Sequence, residues 1–131
     1  MGRILLAVSG LLLLGSQPSW AQDVAGGEKV FVQCKVCHQV GDAAKNGVGP
    51  ILNGLFGRRA GVVEGFAYTD ANKNSGIVWD EAVFREYIKN PKAKIPGTKM
   101  VYAGLRDEKR IDDLIAYLHT FDKAPVKLTA Q

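Results

Sequence analysis

Cysteine is scarce. The 131 residues hold two, too few for the disulfide scaffold on which small secreted folds are built. Histidine is as scarce, also two, so a structural zinc site with four protein ligands would have to draw on every one of these side chains. No stretch sustains a period-two alternation of β-branched and aromatic residues, so strands are not expected to dominate. No apolar run reaches membrane-spanning length. The longest, Ile4 to Leu14, has eleven residues, against roughly 20 needed to cross a bilayer. Internal repeats and low-complexity tracts are absent. The positive excess is small, +4, well short of a nucleic-acid binder, and no nucleic-acid partner is expected. With 47% hydrophobic and 23% charged residues, the chain is neither disordered nor fibrous, and its length fits one domain.

What is present begins with an address. Arg3 precedes the short apolar run, Pro18 breaks any helix after it, and Ser19 and Ala21 supply small side chains at a cleavage site. This pattern predicts a secretory signal peptide over residues 1–21, cleaved to leave a single domain over 22–131. It also predicts a periplasmic location and no stable membrane insertion. Cleavage removes Arg3 and Met1, so the charge falls to +3 and Met100 becomes the only thioether. Two cysteines kept in an oxidising compartment need a task.

Three stretches carry a helical period. The first spans about Ala25 to Val36, with Val30 and Phe31 on its apolar side. The second follows Trp79, opens with Asp80 and Glu81 where carboxylates suit the helix dipole, and stops at Pro91. The third follows Asp107, a good N-cap. Its Ile111, Leu114, Ile115 and Leu118 fall at i, i+3, i+4 and i+7. Between the first two lies a long loop with seven glycines from Gly41 to Gly65. So long a loop is unusual unless it wraps something. Three short helices also offer each other little apolar surface, and both facts point to a large apolar ligand completing the core.

The segment Cys34-Lys35-Val36-Cys37-His38 indicates which ligand. C-x-x-C-H is the attachment motif of c-type haem. Cysteines at i and i+3 of a helix share a face, so both can reach one edge of a porphyrin and form thioethers. The adjoining His38 can then turn its imidazole onto the iron. A thioredoxin-like pair would need a βαβ setting that the pattern lacks. A zinc site would have to take His119, 81 residues past His38, as its fourth ligand, and a Cys34–Cys37 disulfide would close a tiny loop and stabilise little. For the sixth iron ligand the candidates are Met100, His119, a lysine or none. Met100 sits in the Pro/Gly-rich segment Ile95 to Met100, off any apolar helix face, so a gap-filling role in the core has no pattern behind it and the ligand role is favoured. His119 reads as a surface residue near a helix C-terminus, where an imidazolium suits the dipole.

With these residues in view, the chain resembles the class I c-type cytochromes, the cytochrome c/c2 family. The resemblance covers the whole of residues 22–131 and is carried by Cys34 to His38, Gly47-Val48-Gly49-Pro50, Asn53 to Arg58, Phe66 to Lys73, Trp79, Asn90-Pro91-Lys92, Ile95 to Leu105, and Asp113 to Leu118. It implies an all-α fold of three main helices, short helical turns and long loops wrapped around one covalently bound haem c. It implies His38 and Met100 as axial ligands, and the Pro50 carbonyl as partner to the other nitrogen of His38. Arg58, Tyr68, Thr69, Trp79 and Thr98 would satisfy the haem propionates. Asn72, Tyr87 and Thr98 would form a polar network on the methionine side, and Leu114 and Tyr117 would pack the last helix across the first. The first helix is one residue shorter before Cys34 than the family usually shows. Either Gly26 with Val30, or Gly27 with Phe31, must therefore meet the last helix. Tyr102 stands where many members carry Phe.

An iron with two protein ligands keeps no position for substrate, and nothing else in the chain forms a catalytic constellation. The expectation is an electron carrier, not an enzyme. Its thioether ligand and burial favour a positive potential, which suits transfer from a cytochrome bc complex to an oxidase or a photosynthetic reaction centre. Lys35, Lys92, Lys94, Lys99 and Arg106 flank the haem segments and would steer the protein to acidic patches on those partners. A monomer is expected.

Overall fold

The computed structural model describes residues 23–130; the expected signal peptide lies outside them. Five helices follow in chain order: α1 Val24–Phe31, α2 Asp70–Lys73, α3 Glu81–Lys89, α4 Pro91–Lys94 and α5 Glu108–His119. Among the described residues the only β pairings are two isolated bridges, Arg59 with Val78 and Val63 with Leu128.

The helix ends follow from capping chemistry. The Asp80 carboxylate accepts from Val83 N at 2.7 Å and starts α3. Asp107 does the same for Arg110 N at 2.8 Å and starts α5. Pro91 cannot continue α3 and instead opens α4, where its missing N–H costs nothing. Asn90 caps the new helix by accepting from Ala93 N.

α5 is the spine of the core. Ile111, Leu114, Ile115 and Leu118 are at most 2% exposed, and each contributes roughly 1.5–3 kcal/mol by leaving water. α1 crosses it. Of the two registers open to the sequence, Gly27 with Phe31 is the one that forms: Phe31 is 1% exposed and its ring lies 5.3 Å from that of Tyr117. A Cβ on Gly27 would stand 2.7 Å from Tyr117 Cβ and run into the Asp113 carbonyl. Glycine is thus what lets the two backbones approach. Asp113 fastens the same crossing, since its carboxylate accepts from Asp23 N at 2.9 Å and from Lys109 Nζ. Burial opposes the Asp113 charge, but these two donors outweigh it and hold the carboxyl below its usual range.

α1 ends earlier than its sequence pattern predicts. Beyond Phe31 the chain continues as turns, with Cys34 N bonded to Phe31 O and Cys37 N to Cys34 O, each an i to i−3 bond. The cysteines still lie one turn apart, as their spacing requires. α3 meets α5 through charge: Arg85 bonds Glu108 at 3.0 Å and Asp112 at 2.5 Å, and Lys89 also pairs with Glu108.

At the other end of α5, His119 is bound on both nitrogens, Nδ1 to Asp122 at 2.7 Å and Nε2 to Glu81 at 2.9 Å. Its ring stacks on Phe56 at 4.3 Å. Burial disfavours the imidazolium, but the two carboxylates prevail and raise its pKa above 6.5. A raised folded-state value adds stability that is complete below the unfolded pKa and is lost as pH rises through the folded one. The melting advantage of the wild type over His119→Gln should therefore shrink between about pH 5 and pH 8. Thermal denaturation at the two pH values checks this, and a constant advantage would refute the pairing.

Candidate functional site

The helices and the glycine-rich loop enclose one apolar cavity of about 230 Å³. Phe31, Leu55, Trp79, Phe84, Leu114 and Leu118 supply greasy walls. Cys34, Cys37, His38 and Met100 line the same space, as do Pro50, Arg58, Tyr68, Thr69, Asn72, Tyr87 and Thr98. Every side chain named for the haem from the sequence therefore faces one cavity, although the residues span Cys34 to Met100.

His38 is prepared as a ligand. Its Nδ1 lies 2.7 Å from the Pro50 carbonyl. A carbonyl only accepts, so the proton sits on Nδ1 and the Nε2 lone pair is left available. Burial, opposed by the Pro50 bond and reinforced by the Arg58 charge, lowers the His38 pKa and so disfavours the imidazolium. Gly49 packs against this ring; a Cβ there would lie 2.6 Å from Nδ1. On the other axial candidate, Tyr87 Oη reaches Met100 Sδ at 3.0 Å, and Met100 N donates to Thr98 Oγ1 at 3.3 Å. Asn72 does not join this pair. Its side-chain oxygen accepts from Thr69 Oγ1 at 3.0 Å, while Thr69 caps α2. Tyr87 and Thr98 stand directly against Met100, and Asn72 lines the same cavity with its side-chain oxygen turned to Thr69.

Arg58 is the most informative polar group. It is 7% exposed and donates to the carbonyls of Asn53 at 2.7 Å and Ile51 at 2.9 Å. No carboxylate pairs with it among the described residues. A buried cation without a counter-ion is costly unless an anion arrives with the ligand. Tyr68 faces the same cavity, with its hydroxyl accepting from Val63 N at 3.3 Å. Trp79 contributes mainly shape: it is buried and meets Tyr87 edge-on at 4.9 Å. An apolar slot with a lone cation at one side suits a flat apolar macrocycle that carries anionic groups on its rim.

The thiols point the same way. Burial, then the neighbouring Cys37, pushes the Cys34 thiol up to about 11. A dithiol oxidoreductase needs a lowered value to make its thiolate, so this environment opposes that chemistry. The five candidate docking cations divide. Lys94 pairs with Glu86, and Lys99 donates to the Ala67 carbonyl and lies over the Phe66 ring at 4.5 Å. Lys35, Lys92 and Arg106 are exposed and in no ion pair among the described residues. Sequence reasoning did not foresee that Lys94 and Lys99 are held. Their partners sit 8 and 32 residues away, beyond any helical period.

An all-α domain whose loops close an apolar cavity over a C-x-x-C-H segment defines a c-type haem domain. The family model for cytochrome c matches residues 24–122. Cytochrome c2 of Blastochloris viridis is 63% identical over 117 residues, covering 88% of this chain and 92% of that protein. Cytochrome c-550 of Nitrobacter winogradskyi is 58% identical over 101 residues, covering 77% and 93%. Among solved structures, cytochrome cH from Methylobacterium extorquens superposes with a TM-score of 0.69 at 50% identity, covering 75% of this chain and 98% of that one. The chain belongs to the cytochrome c family, in its bacterial cytochrome c2 branch. It is an electron-transfer protein and not an enzyme, and its cofactor is covalently attached haem c.

Proposed function

We propose that the protein is a periplasmic one-electron shuttle, released by cleavage after Ala21, that takes electrons from a cytochrome bc complex and delivers them to a terminal oxidase or a photosynthetic reaction centre. The observation that carries this reading is the convergence of Cys34, Cys37, His38 and Met100 on one apolar cavity. Cys34 and Cys37 would hold the haem as thioethers, and His38 Nε2 and Met100 Sδ would be the side chains that ligate its iron. When bound, the haem supplies one reversible electron change at its iron. The protein does the rest. Pro50 fixes the His38 tautomer, and Tyr87 and Thr98 hold Met100 in place. Arg58 and Tyr68 face the cofactor's anionic rim. The apolar walls and the buried Arg58 both disfavour the extra positive charge of oxidised iron, which raises the potential.

Docking falls to the free cations. Lys35, Lys92 and Arg106 steer the shuttle to acidic surfaces on its partners, in a small polar contact that releases quickly. The rate at which an acceptor membrane oxidises the reduced protein should fall steeply as salt rises through the range where the Debye length shrinks from about 10 Å to about 3 Å. Replacing Lys35, Lys92 and Arg106 together by Gln should flatten that dependence, whereas Lys94→Gln should alter it less because Glu86 already neutralises it. Stopped-flow oxidation across a salt series checks this, and a salt-independent rate in the wild type would reject the steering.

A further inference from the structure

Residues 124–129 run past the end of α5 and fold back over the loop that carries Tyr68. Glu64 N donates to Lys127 O at 2.9 Å, and Thr129 N donates to Val62 O at 2.8 Å. Leu128 bridges Val63 between them. Val63 is 3% exposed, and its own N–H donates to Tyr68 Oη. The tail thus fixes the backbone that positions one of the polar groups of the cavity. It reaches the other through Asn53. That side chain is wholly buried: it accepts from Gly41 N at 2.8 Å and donates to Gly41 O at 2.9 Å and to Pro125 O at 2.8 Å. The carbonyl of the same Asn53 receives Arg58 Nη1. Removing Pro125 would leave a buried amide N–H unpaired, and water must enter to satisfy it. That water would bond the side chain of Asn53, the residue whose main-chain carbonyl holds Arg58 Nη1.

We propose that residues 124–129 act as a positioning strap that keeps water from the Arg58–Tyr68 side of the cavity and so holds the reduction potential up. Residues 124–129 do not line the cavity; they act through Asn53 and Val63. Water at Arg58 would screen its charge, and a screened cation disfavours oxidised iron less. The inference rests on Arg58 and Tyr68 facing the haem rim, as proposed above.

The test uses the haem-loaded protein with residues 124–131 deleted and, separately, Thr129→Pro, which removes the N–H and the hydroxyl that both donate to the Val62 carbonyl and leaves Pro125 in place. Amide exchange at Glu64 in the deletion and at Val63 in both variants is measured beside the midpoint potential. Exchange should rise about tenfold or more in the deletion. The potential should shift downward, less for Thr129→Pro. Faster exchange with an unmoved potential would make the tail structural only and overturn the proposal, as would unmoved exchange. If the deletion does not fold, Thr129→Pro alone decides by the same readings. Arg58→Gln, which removes the charge, separates the two layers. A potential that falls on Arg58→Gln but not in the tail variants removes the strap alone, and one indifferent to both removes the Arg58 assignment and the strap with it.

Discussion

Met100→Ala should open the haem iron to an added ligand, with loss of a low-spin spectrum. Met100 is the only thioether outside the signal segment, and it lines the cavity with a hydrogen bond from Tyr87 and one to Thr98. Alanine removes the sulfur and leaves Tyr87 Oη with no acceptor on that side. His119 cannot substitute, because both its nitrogens are held by Asp122 and Glu81. The reduced variant should bind carbon monoxide. Its midpoint potential should fall by on the order of 0.1 V or more, a modest part of the ~0.8 V range over which axial ligands act. Visible spectroscopy and redox titration check both. A variant that keeps the low-spin spectrum and refuses carbon monoxide would remove Met100 from the iron.

The second large effect concerns stability. Gly27→Val should cost about 3 kcal/mol or more, because the new Cβ meets the Asp113 carbonyl and Tyr117 Cβ, and backbone cannot yield as a side chain can. The displaced α1 would also loosen Phe31 from Tyr117 and Asp23 from Asp113. For a domain of about this size that corresponds to a melting point lower by roughly 12–24 °C. Gly26→Val should cost less: its nearest neighbours are the carboxylate ends of Asp113 and Asp23, which can shift where backbone cannot, at the expense of the Asp113 bonds to Asp23 N and Lys109. Thermal melts of the two holoproteins decide. Equal losses would mean that the α1–α5 crossing does not use the Gly27 register.

What could be read from the sequence divides by range. α5 was legible because its four apolar side chains repeat at the helical period and Asp107 caps it, both local facts. The covalently attached haem was legible because C-x-x-C-H carries its chemistry in its spacing. The α1 register was not, since Gly26 with Val30 and Gly27 with Phe31 satisfy the same i, i+4 rule and only the facing backbone of Asp113 chooses between them. α2 and α4, four residues each, were too short to show a period. The His119 pairing with Glu81, across 38 residues, and the bridge of Leu128 to Val63 are long-range. No local pattern announces them.

The most direct measurement is to add carbon monoxide to the reduced wild-type protein at neutral pH and record its visible spectrum. With His38 and Met100 both on the iron the spectrum stays as it was. A carbon monoxide adduct forming readily would mean that one axial position is open, and the account of a closed electron shuttle would fail.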